Sequence, residues 1–158
     1  MKHWDNRFID LAFLVASWSK DPSTKVGAVI TKDNRVISLG FNGIPTGLDD
    51  EKYLVSRDLK ILTAMHAESN AIDFARVDLV GSTIYSTHHP CPACSGRIIQ
   101  NGFARVVTIE PAKDEDFRKR WNLDHSIMML EDSGIEVTYI KKEENDQYAQ
   151  PNCQCQPT

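Results

Sequence analysis

The sequence predicts an α/β domain, a mixed β-sheet with helices against both faces. Three observations predict it. Segments with apolar residues three and four apart alternate with short runs of β-branched residues, giving the order α-β-β-α-β-α-β-α-β. A turn-rich triplet joins the first two β-type runs as a hairpin. The 158 residues, 41% hydrophobic and 25% charged, suffice for one core but not for two ordinary domains.

Trp4, Phe8, Leu11, Ala12, Val15 and Trp18 form one stripe of a helix that opens near Asp5, reads as core packing and stops before Asp21-Pro22. Residues 26–31 and 35–41 are strands joined by Lys32-Asp33-Asn34. Residues 42–47, with two glycines and a proline, cannot continue a strand and form a shaped loop. Residues 48–65 match no motif and receive no element. Residues 67–76 read as a helix whose small face, Ala67, Ala71, Ile72 and Ala75, lets it lie close to the sheet. A strand over 82–87, a helix over 92–100 ending at Asn101-Gly102 and a strand over 105–109 follow. A short helix over 126–131 closes at Gly134, and a last strand over 135–140 alternates Ile135, Val137 and Tyr139 with polar neighbours. Residues 1–141 make up the domain, and the polar stretch 142–158 is expected to be a flexible tail in which Cys153 and Cys155 are free thiols.

Eighteen Lys plus Arg against 22 Asp plus Glu leave a net charge of -4, so no overall basic field exists to hold long nucleic acid. No stretch approaches the roughly 20 apolar residues of a membrane span, and the N-terminus has no apolar signal core. A soluble, cytoplasmic protein is expected. With four cysteines and no secretion signal, metal or redox chemistry is a better expectation than a disulfide framework.

His66, in His66-Ala67-Glu68, and the pair in Pro90-Cys91-Pro92-Ala93-Cys94 stand at the starts of two expected helices. Imidazole nitrogen and thiolate sulfur are zinc donors, and three protein ligands leave a fourth position for water, as catalytic sites do. Helix N-termini favour thiolate over thiol. Glu68 lies two residues from His66, and positions i and i+2 within a helix point to nearly opposite sides. Both can face one metal only if His66 sits at or just before the helix start, whereas an unbroken helix through residues 65–69 would argue against the site. Taken alone, Cys91 and Cys94 also fit a thioredoxin-like dithiol redox pair. The joint pattern, His-x-Glu opening one helix and Pro-Cys-x-x-Cys the next, is the zinc deaminase signature.

On these motifs the chain resembles the cytidine deaminase superfamily, and within it the deoxycytidylate (dCMP) deaminases. The resemblance spans roughly residues 4–140 and includes Ser19-Lys20-Asp21-Pro22, Val26-Gly27-Ala28, the block Gly40-Phe41-Asn42-Gly43-Ile44-Pro45-Thr46-Gly47, and the run His66 to Ile72. It implies the three-layer α-β-α cytidine-deaminase-like fold on a five-stranded mixed sheet. It implies a hydrolase of pyrimidine nucleotide biosynthesis that turns dCMP into dUMP and ammonia with one catalytic Zn²⁺. His66, Cys91 and Cys94 would be the ligands, and Glu68 would move protons among water, ring N3 and the departing amine. The Ala67 N–H would meet the pyrimidine carbonyl and Asn42 the sugar 3′-hydroxyl. Thr87, His88 and His89, beside the metal motif, are further pocket candidates. Lys113, Arg118, Lys119 and Arg120, following the strand that ends near Ile109, are phosphate candidates. Family members are commonly homo-oligomers, activated by dCTP and inhibited by dTTP with Mg²⁺ through the loop that here holds Gly43, Ile44 and Gly47. No cysteine precedes Cys91, so a second, structural zinc is not expected. The rivals are a zinc deaminase acting on dCTP, cytidine, guanine or tRNA adenosine, a dithiol redox protein, and a catalytically silent nucleotide-binding module.

Overall fold

The computed structural model describes residues 2–141, so the expected tail and its Cys153 and Cys155 lie outside the described residues. Five strands form one mixed sheet in the order β2-β1-β3-β4-β5: β1 Gly27–Lys32, β2 Arg35–Phe41, β3 Thr83–Ser86, β4 Arg105–Ile109 and β5 Glu136–Ile140. The turn at Asp33 and Asn34, both at positive φ, makes β1 and β2 the expected antiparallel hairpin. β3 runs antiparallel to β1, and β3, β4 and β5 are mutually parallel.

Helix α1, Lys2–Ala16, covers one face of the sheet. Its Phe8, Ile9, Ala12 and Phe13 pack on Val29, Tyr85 and Val107. It begins three residues before the expected Asp5 and ends well before Pro22. Trp4 and Trp18, expected in the core stripe, are exposed, because Trp4 lies in the first turn and Trp18 beyond the helix.

The opposite face carries α4 Ala67–Phe74, α5 Pro92–Gln100 and α7 Leu123–Ser133. Ala67, Ala71, Ile72, Ile98 and Leu130 meet Ala28, Ile30, Ile84 and Val106 there. Small residues bring α4 close: a Cβ at Gly40 of β2 would overlap the Ala67 carbonyl oxygen and the Ala71 amide nitrogen. Strand boundaries differ from expectation by a residue or so, α4 stops two residues early, and α7 starts three residues before Ser126.

Three short helices were not expected: α2 Asp50–Leu54, α3 Arg57–Thr63 and α6 Glu115–Arg120. None buries a residue, so none leaves an apolar stripe to read. Their starts are set by side-chain caps, with Asp49, Ser56 and Asp114 accepting from the amides of Glu51, Leu59 and Phe117.

Candidate active site

The site lies where α4 and α5 begin over the carboxyl end of β3. His66 is the N-cap of α4, still extended at φ -74° and ψ 153°, and the helix starts at Ala67. The unbroken helix that would have argued against the site is therefore absent. Cys91 is likewise the extended N-cap of α5 at φ -71° and ψ 169°, with Pro92 opening the helix and Cys94 in its first turn. His66 Nδ1 lies 3.4 Å from Cys91 Sγ and 3.5 Å from Cys94 Sγ. Among the described residues these three form a group whose ligand atoms all lie within 4.8 Å of one another.

That spacing tests the fit of a metal. Zinc held tetrahedrally by imidazole nitrogen at about 2.0 Å and thiolate sulfur at about 2.3 Å keeps those two atoms about 3.5 Å apart. Both nitrogen–sulfur pairs stand at that separation, which fits zinc. The electrostatics divide the two sulfurs. A hydrogen bond from the Cys94 thiol and another from His66 hold the Cys91 sulfur as thiolate, its pKa drawn down to about 4. The bond shared with Cys91, together with burial, pushes the Cys94 thiol upward. Ser69 Oγ, one turn along α4, lies 3.6 Å from Cys94 Sγ.

Glu68, the second residue of α4, is 4% exposed. Burial pushes its carboxyl up, against bonds to its own amide and to Ser86, and Ser86 Oγ donates to its Oε1 at 2.9 Å. Ala67, fully buried, is the first residue of the helix, where an N–H has no carbonyl a turn earlier to bond.

Other candidates are more committed than expected. The Asn42 amide clamps the loop before β1: Oδ1 accepts from the Val26 amide at 2.8 Å, while Nδ2 donates to Thr24 O at 2.8 Å and faces Asp21 Oδ2 at 3.5 Å. Gly43 pairs with Met65 in both directions, at 3.1 and 2.8 Å, so its N–H is not a free donor for phosphate. Ile44 is half-buried, and exposed Gly47 has φ +94°, a conformation that favours glycine. Thr87 Oγ1 accepts from the Gly27 amide at 3.1 Å and lies 3.0 Å from His88 Nδ1. His89 is buried against Tyr139, with Nδ1 2.9 Å from Pro90 O. Arg118 pairs with Asp124 and bonds Ala112 O at 3.4 Å, and Lys119 pairs loosely with Glu115 at 3.9 Å. Lys113 and Arg120 are exposed.

Two neighbours of the site were not read from sequence. Ser86 touches the carboxylate, and Trp121, between α6 and α7, meets the His66 ring edge-on at 6.3 Å. The left-handed Asn122 after Trp121, at φ 51°, turns the chain there, and no periodic signal marks either residue.

Residues 2–110 match a family model described as the cytidine and deoxycytidylate deaminase zinc-binding region. A protein of Aliivibrio fischeri named as an uncharacterized deaminase in the luxG 3′ region is 50% identical over 139 residues, covering 87% of this chain and 93% of the relative. The deoxycytidylate deaminase of Mycobacterium phage D29 is 37% identical over 122 residues, covering 66% of this chain and 92% of the relative. The dCMP deaminase of cyanophage S-TIM5, solved in complex with dCMP and dUMP, superposes with a TM-score of 0.69 at 26% identity, covering 89% of this chain and 98% of that one. The matched span runs through both helix starts that converge on His66, Cys91 and Cys94. On that ground the chain belongs to the cytidine and deoxycytidylate deaminase family.

Proposed function

We propose that the protein hydrolyses dCMP to dUMP and ammonia with one zinc ion. The observation that carries the reading is the meeting of His66, Cys91 and Cys94 at zinc-donor spacing beside the buried Glu68. Relatives named as deoxycytidylate deaminases support the choice of substrate. Held by the three donors, zinc supplies Lewis-acid chemistry that makes water a nucleophile at neutral pH.

The chain's own residues do the rest. Glu68 takes one proton from the attacking water and passes it to ring N3 as C4 becomes tetrahedral, then takes the second from the new C4 hydroxyl and delivers it to the amine as the C4–N bond breaks. Water oxygen stays on the ring as the uracil carbonyl, and nitrogen leaves as ammonia. The Ala67 N–H, at the positive end of α4, is suited to the pyrimidine carbonyl oxygen. Asn42 Oδ1 keeps one lone pair beyond its Val26 bond, enough for a sugar hydroxyl. Thr87 and His88, at the end of β3, would line the pocket, and Arg118 with Lys113 or Arg120 would meet the phosphate, Arg118 exchanging its Asp124 partner for it.

The same reading extends to activation by dCTP, inhibition by dTTP with Mg²⁺, a homo-oligomeric state and a cytoplasmic location. The Gly43–Met65 bridge supports regulation, because it ties the 42–47 loop to the residue before a metal ligand. Glu68→Gln tests the core of the mechanism. The variant should keep one zinc per chain by elemental analysis while dCMP turnover falls by about 10²-fold or more; normal turnover would remove Glu68 from the mechanism.

A further inference from the structure

We propose that Ser86 is a positioning residue for the reaction: its hydroxyl holds one oxygen of the Glu68 carboxylate and leaves the other to carry protons. This rests on the reading that Glu68 is the proton carrier.

Ser86 ends β3, is 1% exposed, and donates to Glu68 Oε1 at 2.9 Å. It faces an apolar layer, level with Ala28 on β1 and two residues beyond Ile84, both fully buried. A hydroxyl in such a layer loses its hydrogen bonds to water and needs a partner within the protein. Thr108, level with Ser86 on β4, is fully buried and its Oγ1 has no hydrogen-bond partner among the described residues. Of these two neighbouring hydroxyls, only Ser86 is joined to the carboxylate.

Glu68 needs such a hold. Its carboxylate must face water, ring N3 and the leaving amine in turn, and a side chain free to rotate would meet each in the required orientation only part of the time. Ser86 supplies one hold from the sheet, so a carboxylate carried on α4 is also tied to β3. With Oε1 occupied by the Ser86 donor, Oε2 is the oxygen left to exchange protons.

A double-mutant cycle tests this on zinc-loaded, full-length protein, using dCMP turnover, zinc content and thermal unfolding. Ser86→Ala should lower kcat about tenfold, about 1.4 kcal/mol, with KM and zinc content unchanged. Ser86→Thr, which restores the hydroxyl, should recover most of the loss. In the Glu68→Gln background, Ser86→Ala should cost nothing further, because the group it positions no longer carries protons. Thr108→Val, which removes the neighbouring unpartnered hydroxyl, should leave kcat unchanged. Should Ser86→Ala fail to fold, Ser86→Cys, similar in size but a weaker donor, reads the same quantity. Wild-type kcat in Ser86→Ala, or an equal loss in both backgrounds, overturns the proposal while leaving the deaminase reading intact. Normal turnover in Glu68→Gln overturns both.

Discussion

At the scale of single residues, the chain places its chemistry at points where backbone geometry changes. His66 and Cys91 are each the last extended residue before a helix, which lets Glu68, only two residues from His66, sit beside the same centre. This much was legible in the sequence, because the i and i+2 spacing permits one arrangement. The roles of Asn42 and Gly43 were less legible. Asparagine and glycine in a shaped loop suggest groups available to a ligand, yet both are largely spent on main-chain hydrogen bonds, to Val26 and Thr24 and to Met65. Those partners lie 16 to 22 residues away in sequence, beyond the reach of any local pattern. Ser86 escaped notice for the same reason, since a serine ending a strand acquires meaning only when α4 brings Glu68 against it.

At the scale of elements, what could be read was whatever buries an apolar face. Strands β1 to β5 and helices α1, α4, α5 and α7 all do so, and all were expected, whereas α2, α3 and α6 bury nothing and are marked only by single cap residues. The small face of α4 shows how packing positions the site. Gly40 has no Cβ, so α4 can approach β2 closely and carry His66 and Glu68 over the end of β3. Gly40→Ala pits a methyl group against helix backbone, which has no rotamer with which to yield. Overpacking of this kind costs about 1–3 kcal/mol, equivalent to a fall in Tm of roughly 2–12 °C for a chain of this size. Thermal unfolding checks it, and zinc affinity should weaken in parallel as α4 is pushed outward. An unchanged Tm would mean that α4 does not sit this close.

At the scale of the whole molecule, the two faces of the sheet divide the work. One carries His66, Cys91 and Cys94, while the other is fastened by a buried polar lock: Arg105 of β4 bonds both oxygens of Asp5 on α1, at 2.7 and 2.9 Å, and Tyr85 donates to Asp5 at 3.0 Å. Burial pushes the Asp5 carboxyl up, but the bonds from Arg105 and Tyr85 outweigh it and hold it below the usual range. In Asp21, burial is outweighed by the Thr24 and Ser23 amides and by Lys60. Carboxyls lowered in the folded state contribute stability above about pH 4, and that contribution is lost as pH falls through their folded values. Arg105→Ala should therefore cost about 3 kcal/mol at pH 7, or roughly 6–12 °C in Tm, and should flatten the fall of stability with acid as measured by urea unfolding; an acid profile identical to wild type would show that the lock contributes nothing. The most direct test of the central claim is ammonia release from dCMP, dCTP, deoxycytidine, CMP and tRNA, measured on a sample whose zinc content is also determined. One zinc per chain, with dCMP converted fastest and all turnover lost when the metal is stripped, is the predicted result. A metal-free protein whose Cys91 and Cys94 oxidise reversibly, and which releases no ammonia, would contradict it.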